Sequence, residues 1–505
     1  MLTALVPGSQ DSRPTRRSGF LLGGIAVLIT CGLLAYSQTD AFGWDEGYHL
    51  LAAQLIRAGR RPYLDFCFPQ TPIAAYWNAA WMSLFGESWR TVHALAALCS
   101  SGAAALAAGF VFRRFPVPGW RLAGAIAAVF LIAANTAVVQ FATAGQPYGL
   151  CLFLIVGAFL CAVFSVNRTN PLLAASAGFL AGAAAASSLL TAPAAPVLLV
   201  WIVLSNRGGS RRSKFAWFAA ATVISWAPIF WLFLHGPRQV FFNVIEYMLL
   251  YRRAEWPGAS RHDFEVFISV LESPQALTLG VLAAFGLFRA PRSQWRNELY
   301  LCLLLATTLA LHVSFARPTF PQYYLFTVPF LSILACSGLY EVGSRLGGRP
   351  LLSALALAAF VCFCLAKRLY DEARNDFLWR DMEAVARQVE QVTPHQATLL
   401  ASDEHVYFLT RRPPPSGMEV EDSHGIPVPP ADATLLHLVP RAELRKRMEA
   451  GTFDTVEICD DDPERVQELG LSRIYARSAV IDSCYVFWER TAGRPGQVAQ
   501  SSPLH

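Results

Sequence analysis

The sequence predicts an all-α polytopic membrane domain of about eleven transmembrane helices, followed by a small C-terminal α/β domain on the extracytoplasmic side. Three observations predict it. Of the 505 residues, 54% are hydrophobic and only 15% charged, against roughly a quarter charged in soluble domains. Charge is unevenly placed: residues 1–366 hold 25 Lys/Arg and 13 Asp/Glu, whereas residues 367–505 hold 16 and 23. Long uncharged runs recur, and they lie in the first part. Disordered, collagen-like and disulfide-rich secreted classes are thereby excluded. With no concentrated basic patch, nucleic acid is not an expected partner.

A spanning helix needs roughly 20 apolar residues, because each rises about 1.5 Å across a hydrocarbon core about 30 Å thick. Eleven candidate runs lie near 19–37, 91–112, 119–140, 148–166, 171–187, 190–205, 215–235, 276–289, 298–315, 322–341 and 350–366. The division expected from these is a cytoplasmic tail (1–18), a membrane domain (19–366), a soluble α/β domain (367–492) and a disordered tail (493–505). The short connections RPTRR, RRFPVPGWR, NRT, NRGGSRRSK, RAPRSQWR and GSRLGGR all fall on one side of an eleven-span arrangement. The positive-inside rule makes that side the cytoplasm. The chain then reads as a multi-pass protein of the plasma (inner) membrane with its N-terminus inside and its C-terminal domain outside. The first run reads as a retained anchor, since ten more spans follow.

Most of the 11 cysteines lie inside the apolar runs. Cys67, Cys459 and Cys484 fall in exterior segments, where an oxidising compartment permits a Cys459–Cys484 disulfide. Spacing alone fixes no geometry for it.

Two exterior loops are long, 38–90 and 236–275, and contain ten of the 13 acids in the membrane part. Solvation keeps carboxylates out of hydrocarbon, but it does not explain their concentration here. Interleaved with Trp, Tyr and Arg, the two loops read as the roof of a site at the membrane surface. The first begins GWDEGYHLLAAQLIRAGRRPYLDF, where Leu50, Leu51, Leu55 and Ile56 share a helix face and Gly59 is a natural stop. A second helix is expected at about 73–85. Asp45 then has two readings: a functional carboxylate, or the N-cap of the first of these helices with Glu46 as a first-turn acid.

The order of these elements resembles the GT-C membrane glycosyltransferases, and more narrowly the bacterial branch related to protein O-mannosyltransferases, aminoarabinose transferases and lipopolysaccharide galacturonosyl transferases. The residues that carry the resemblance are Asp45-Glu46 after the first span, Thr71-Pro72, Tyr76-Trp77, Leu84-Phe85-Gly86 and Arg90. RPTFPQYYLFTVPFL (317–331) is similar to the family's late loop, an aromatic-rich turn leading into a proline-bearing helix. The likeness covers most of residues 19–366.

The resemblance implies transfer of a sugar from a polyprenyl-phosphate sugar donor to a lipid, glycan or protein acceptor on the exterior face. Asp45 is the implied base, taking the proton of an acceptor hydroxyl, a contribution of roughly 10²–10⁴ in rate; Glu46 would orient the acceptor or share the proton. Adjacent carboxylates near a low-dielectric membrane can raise one another's pKa. The leaving phosphate calls for cations or donors, for which Arg252, Arg253, Arg317, Gln322, Tyr323 and Tyr324 are candidates. Interfacial Arg and Tyr also serve simply as headgroup anchors. Some relatives carry a Lys before the proline of the first loop, where this chain has Gln70-Thr71-Pro72; that departure shifts weight to the arginines. Tyr76 and Gln70 remain candidate substrate contacts.

His49, four residues after Asp45, shares its helix face and could hydrogen-bond the carboxylate or bind a divalent metal. A third and fourth ligand are not visible at recognisable spacing, so no cofactor is assigned. Asp65 reads either as a sugar-hydroxyl contact or as a turn acid. At the end of the third run, Gln146 and Tyr148 are the polar options.

The C-terminal part reads as a helix (about 370–391), a strand (ATLLAS), a helix (AELRKRMEAG), a strand (FDTVEIC), a helix (PERVQELG) and two strands (RIYARS, CYVFWE). The prolines at 413–415 and EVEDSHGIPVPP read as an exposed loop. No phosphate loop or nucleophile motif is present, and capping the site, recognising an acceptor or stabilisation fit equally. A transporter or lipid flippase is the alternative class, as is a non-catalytic GT-C scaffold. Transporters place ionisable or broken-helix elements at mid-membrane, often in repeated halves; neither is evident.

Overall fold

The computed structural model describes residues 16–39, 41–43, 45–252, 258–289, 294–372, 377–420 and 425–491. The expected tail at 493–505 and most of that at 1–18 lie outside these residues, as does Arg253. The chain forms two compact units, one of Met1–Thr39, Ser88–Pro228 and Trp256–Asp376, the other of Asp40–Glu87, Ile229–Glu255 and Phe377–His505.

The first unit is helical. Among the described residues, six helices are long and apolar enough to cross a membrane: Arg16–Ser37, Trp89–Arg114, Tyr148–Ser165, Trp295–Ser314, Pro321–Arg345 and Pro350–Asp371. Two bent pairs, Arg211–Ser225 with Ala227–His235 and Ala259–Glu272 with Pro274–Phe288, bring the number to at most eight. The expected eleven is not confirmed by length and composition, because three of the runs give shorter apolar helices. In the third run, Asn135 ends one helix and caps the next, its Oδ1 accepting from the amides of Ala137 and Val138 at 3.1 and 3.4 Å. The fifth and sixth runs give helices of 16 and 12 residues, and 12 residues rise only about 18 Å.

Small residues let these helices approach closely. A Cβ on Gly286 would overlap the Leu334 carbonyl, and one on Gly338 would overlap the Leu282 carbonyl. Trp226 Nε1 donates to the Gly182 carbonyl at 3.1 Å. Glu298, one of the few acids outside the long loops, is buried and paired with Arg114.

In the second unit, helix Glu46–Arg57 and helix Ile73–Phe85 occupy the positions expected of them. Gly59 follows the first at φ 86°, a left-handed conformation open to glycine. The C-terminal segment carries a four-stranded sheet of β1 (Leu399–Ala401), β2 (Thr455–Cys459), β3 (Tyr475–Ile481) and β4 (Cys484–Arg490) in the order β1-β2-β4-β3. β1 runs parallel to β2, while β4 is antiparallel to both β2 and β3. All four expected strands are present. The Cys459–Cys484 disulfide forms between directly paired residues of β2 and β4. The helix expected at about 370–391 instead begins at Trp379, where Asp381 accepts from the Leu378 amide at 2.9 Å. The proline-rich loop is not wholly exposed: Met418, Glu419, Val420 and Ile426 are buried.

Candidate active site

Helix Glu46–Arg57 opens at Asp45, whose φ of −66° and ψ of −8° are helical and whose side chain makes no capping hydrogen bond. A conventional N-cap is extended and accepts from the second or third helical amide; Asp45 does neither, and it is exposed. Its neighbour has the opposite environment. Glu46 is fully buried, and its Oε1 accepts from Trp379 Nε1 at 2.8 Å and from the Gly43 amide at 3.2 Å. The two adjacent residues thus differ in environment, Asp45 exposed and Glu46 buried and hydrogen-bonded.

His49 is buried beside this turn, with ring contacts to Tyr48 (4.2 Å) and Phe68 (5.8 Å). Burial lowers its pKa to about 3 despite the opposing influence of Glu46. His49 is therefore neutral at physiological pH. Among the described residues, the only group of three closely spaced His, Cys, Asp or Glu side chains is Glu457, Cys459 and Cys484, and its two cysteines are joined in the disulfide.

Asp65 is engaged by Arg61, whose amide, Nε and Nη2 donate to its carboxylate at 2.7, 2.9 and 2.8 Å. These bonds hold its pKa below the ordinary carboxylate value. That is the geometry of a turn acid. Gln70 Nε2 reaches the Tyr48 hydroxyl at 3.4 Å, and its carbonyl accepts from the Tyr63 hydroxyl at 2.5 Å. Tyr76 is half-buried, which raises its pKa. The second long loop enters the same unit through a π-helix, Phe242–Tyr251, a geometry frequent at functional sites. Asn243 joins it to the first loop, its Oδ1 accepting from the Phe68 amide at 2.9 Å. Arg252 follows this helix, its Nη1 4.0 Å from Met248 Sδ.

The late-loop candidates belong to the first unit. Arg317 pairs with Asp263 at 3.9 Å, and Asp263 also accepts from the Thr319 amide at 2.8 Å. Pro321–Thr327 is a 3-10 turn leading into helix Val328–Arg345, which carries Pro329. Gln322 and Tyr323 are buried there, and the Tyr324 hydroxyl bonds Ser314 Oγ at 2.8 Å. Tyr148 packs on Tyr323 and Phe326, with centroids at 6.4 and 5.8 Å. The Gln146 Oε1 is buried without a hydrogen-bond partner.

No family model and no curated protein sequence matches the chain. Solved structures do. The crystal structure of ArnT from Cupriavidus metallidurans in the apo state superposes with a TM-score of 0.68 at 16% identity, covering 94% of this chain and 98% of that one. The same protein bound to undecaprenyl phosphate gives 0.65 at 15%, covering 93% and 97%. The archaeal oligosaccharyltransferase AglB from Archaeoglobus fulgidus, in complex with an inhibitory peptide and a dolichol-phosphate, gives 0.50 at 12%, covering 88% and 70%. The fold is that of ArnT, the GT-C fold.

The C-terminal segment supplies residues to the acidic turn that sequence reasoning did not single out. Trp379 holds Glu46. His405 lies against Gly47, where a Cβ would sit 2.5 Å from its Nδ1. Glu419 pairs with Arg60 at 3.2 Å, and burial raises its pKa to about 6. A weak signal existed for one of them: SDEHVYF places an Asp/His pair two residues apart just after a strand, where Asp403 caps a short helix.

Proposed function

We propose that the chain is a membrane glycosyltransferase that moves a sugar from a polyprenyl-phosphate sugar to a lipid, glycan or protein acceptor at the extracytoplasmic face, with Asp45 as general base. The observation that carries this reading is the exposed, non-capping Asp45 carboxylate beside a buried and anchored Glu46. An exposed carboxylate can take the proton of an acceptor hydroxyl brought within hydrogen-bond reach of it. The GT-C fold adds support, since ArnT binds undecaprenyl phosphate and AglB a dolichol-phosphate.

In the proposed step, the Asp45 carboxylate takes the acceptor O–H proton while the acceptor oxygen bonds the anomeric carbon. The bond from that carbon to the phosphate oxygen breaks, and polyprenyl phosphate leaves with the electron pair. Arg252, in the same unit, is the candidate to meet the phosphate's charge. Glu46 acts as an anchor of the turn. The arginine distribution of the short connections supports a cytoplasmic N-terminus and an exterior C-terminal segment.

The test is transfer by the purified chain from a synthetic polyprenyl-phosphate sugar in detergent. Mass spectrometry of envelope glycans and lipid-linked sugars in a deletion strain would name the donor and acceptor. Loss of one glycan sugar with accumulation of its lipid-linked donor supports the reading; unchanged glycans and donors contradict it.

A further inference from the structure

Helix Ala259–Glu272 carries Arg261, Asp263, Glu265 and Glu272, and a break at Ser273 bends the chain by 72° into the apolar helix that begins at Pro274. Proline has no amide to donate and favours the first position of a helix, so the break is built into the sequence. At about 100° per residue the first helix has three sides. His262, Asp263, Val266 and Val270 fall within an arc of about 100° and are buried or partly buried. Arg261, Glu265, Ser269 and Glu272 fall within about 80° and are exposed. Phe264, Phe267 and Leu271 fall within about 60° and are also exposed, at 63, 48 and 53%. A charged side and an apolar side, both left uncovered by the protein, are the pattern of a helix lying in a bilayer interface.

Two lengths agree with that placement. Gln275, the residue after Pro274, is buried, and its Nε2 donates to the carbonyls of Val361 at 2.9 Å and Ala134 at 3.0 Å. In helix Pro350–Glu372 the first charged residue beyond Val361 is Lys367, about 9 Å further along the axis. The break therefore lies several ångströms inside the apolar layer, the depth of roughly 5–10 Å at which amphipathic interfacial helices sit. The helix after the break has 16 residues, a rise of only about 24 Å against a hydrocarbon core of about 30 Å. A start below the headgroups makes up the difference. Leu277, Val281 and Phe285 of that span are exposed and continue the apolar surface past the break.

We propose that Ala259–Glu272 lies in the plane of the bilayer interface with Phe264, Phe267 and Leu271 inserted among lipid chains, and that this lipid-bound surface holds the late loop in place. The link to the loop is direct. On the side facing the protein, Asp263 Oδ1 accepts from the Thr319 amide at 2.8 Å and its carboxylate pairs with Arg317 at 3.9 Å. His262 Nε2 donates to the Thr319 carbonyl at 3.0 Å, and its ring meets Phe320 edge-on at 5.3 Å. Thr319 is itself buried, its hydroxyl donating to the Val313 carbonyl at 2.9 Å. Both backbone groups of one loop residue are thus held by consecutive residues of the helix.

The test uses the full chain in nanodiscs of unsaturated phosphatidylcholine, with the photoreactive residue p-benzoylphenylalanine introduced at one position at a time and adducts read by mass spectrometry. Positions 264, 267 and 271 should give lipid adducts at the level of position 281 in the adjoining span, and positions 261, 265 and 269 roughly tenfold less. Equal lipid labelling all round the helix would mean that it crosses the core, and cross-links to a second copy of the chain from 264 and 267 would mean a protein contact; either overturns the proposal. Hydrogen exchange at the Thr319 amide reads the hold on the loop. Phe264→Gln combined with Phe267→Gln should speed it roughly tenfold, as Asp263→Ala should by removing the acceptor. Arg261→Gln combined with Glu265→Gln, on the water side, should leave it unchanged. Exchange unmoved by the phenylalanine pair would show that the lipid-facing surface does not hold the loop.

Discussion

The indole Nε1 of Trp379 donates a 2.8 Å hydrogen bond to Oε1 of Glu46, joining residues 333 positions apart in the chain. The acidic pair is therefore completed by the C-terminal segment, and its two members are not interchangeable. Trp379→Phe removes one of the donors that solvate a buried carboxylate, which should cost about 1–3 kcal/mol. Glu46→Gln keeps an acceptor for that indole and should lower transfer less than loss of Asp45. Thermal unfolding together with transfer rates checks both; a Trp379→Phe protein as stable as the parent would remove the anchoring role.

Gly47 tests the same packing by adding volume. A methyl group there would lie 2.5 Å from Nδ1 of His405, and both groups sit on fixed elements. Gly47→Ala should destabilise the second unit by about 1–3 kcal/mol, the usual cost of overpacking. Combination with His405→Ala should be clearly less than additive. Additive losses in denaturant titrations would mean the two residues do not press on one another.

Glu457 on β2 accepts from the Ser402 amide at 3.1 Å, and burial raises its pKa from 4.5 to about 8. Folding favours the protonated form, so this stabilisation is complete below the unfolded-state pKa and is lost as pH rises through about 8. Glu457→Gln should flatten the decline in melting temperature across that window. An unchanged slope would show that Glu457 is not the group responsible.

The Cys459–Cys484 disulfide joins paired strands and closes a 25-residue separation. Disulfides persist in oxidising compartments. Maleimide should label these cysteines from outside intact cells only after reduction, whereas a cysteine at residue 210 should react only from the cytoplasm. Replacing both by serine should cost roughly 2–4 kcal/mol. Labelling of Cys459 or Cys484 from the cytoplasmic side would reverse the proposed orientation.

Features set by neighbours in sequence were legible. The apolar spacing of Leu50, Leu51, Leu55 and Ile56 with a stop at Gly59 located helix Glu46–Arg57, and the β-rich runs located all four strands. The span count was less so, because Asn135 interrupts an apolar run by capping a new helix, which composition averages over. At the site, Asp45 stood out because two adjacent acids follow a span. Trp379 and His405 did not, because their meaning depends on contacts with residues more than 300 positions away, for which no periodicity exists. Asp65 illustrates the opposite limit: its partner, Arg61, is four residues off, and the turn reading already on hand accounts for it.

The central claim rests on Asp45, and the most direct measurement is turnover of Asp45→Asn in detergent, from a polyprenyl-phosphate sugar, with melting temperature recorded on the same samples. The amide preserves shape and polarity, and Asp45 makes no capping bond to lose. The account predicts near-normal stability with transfer reduced about 10²-fold or more. An Asp45→Asn protein that transfers sugar at close to the parent rate would contradict it.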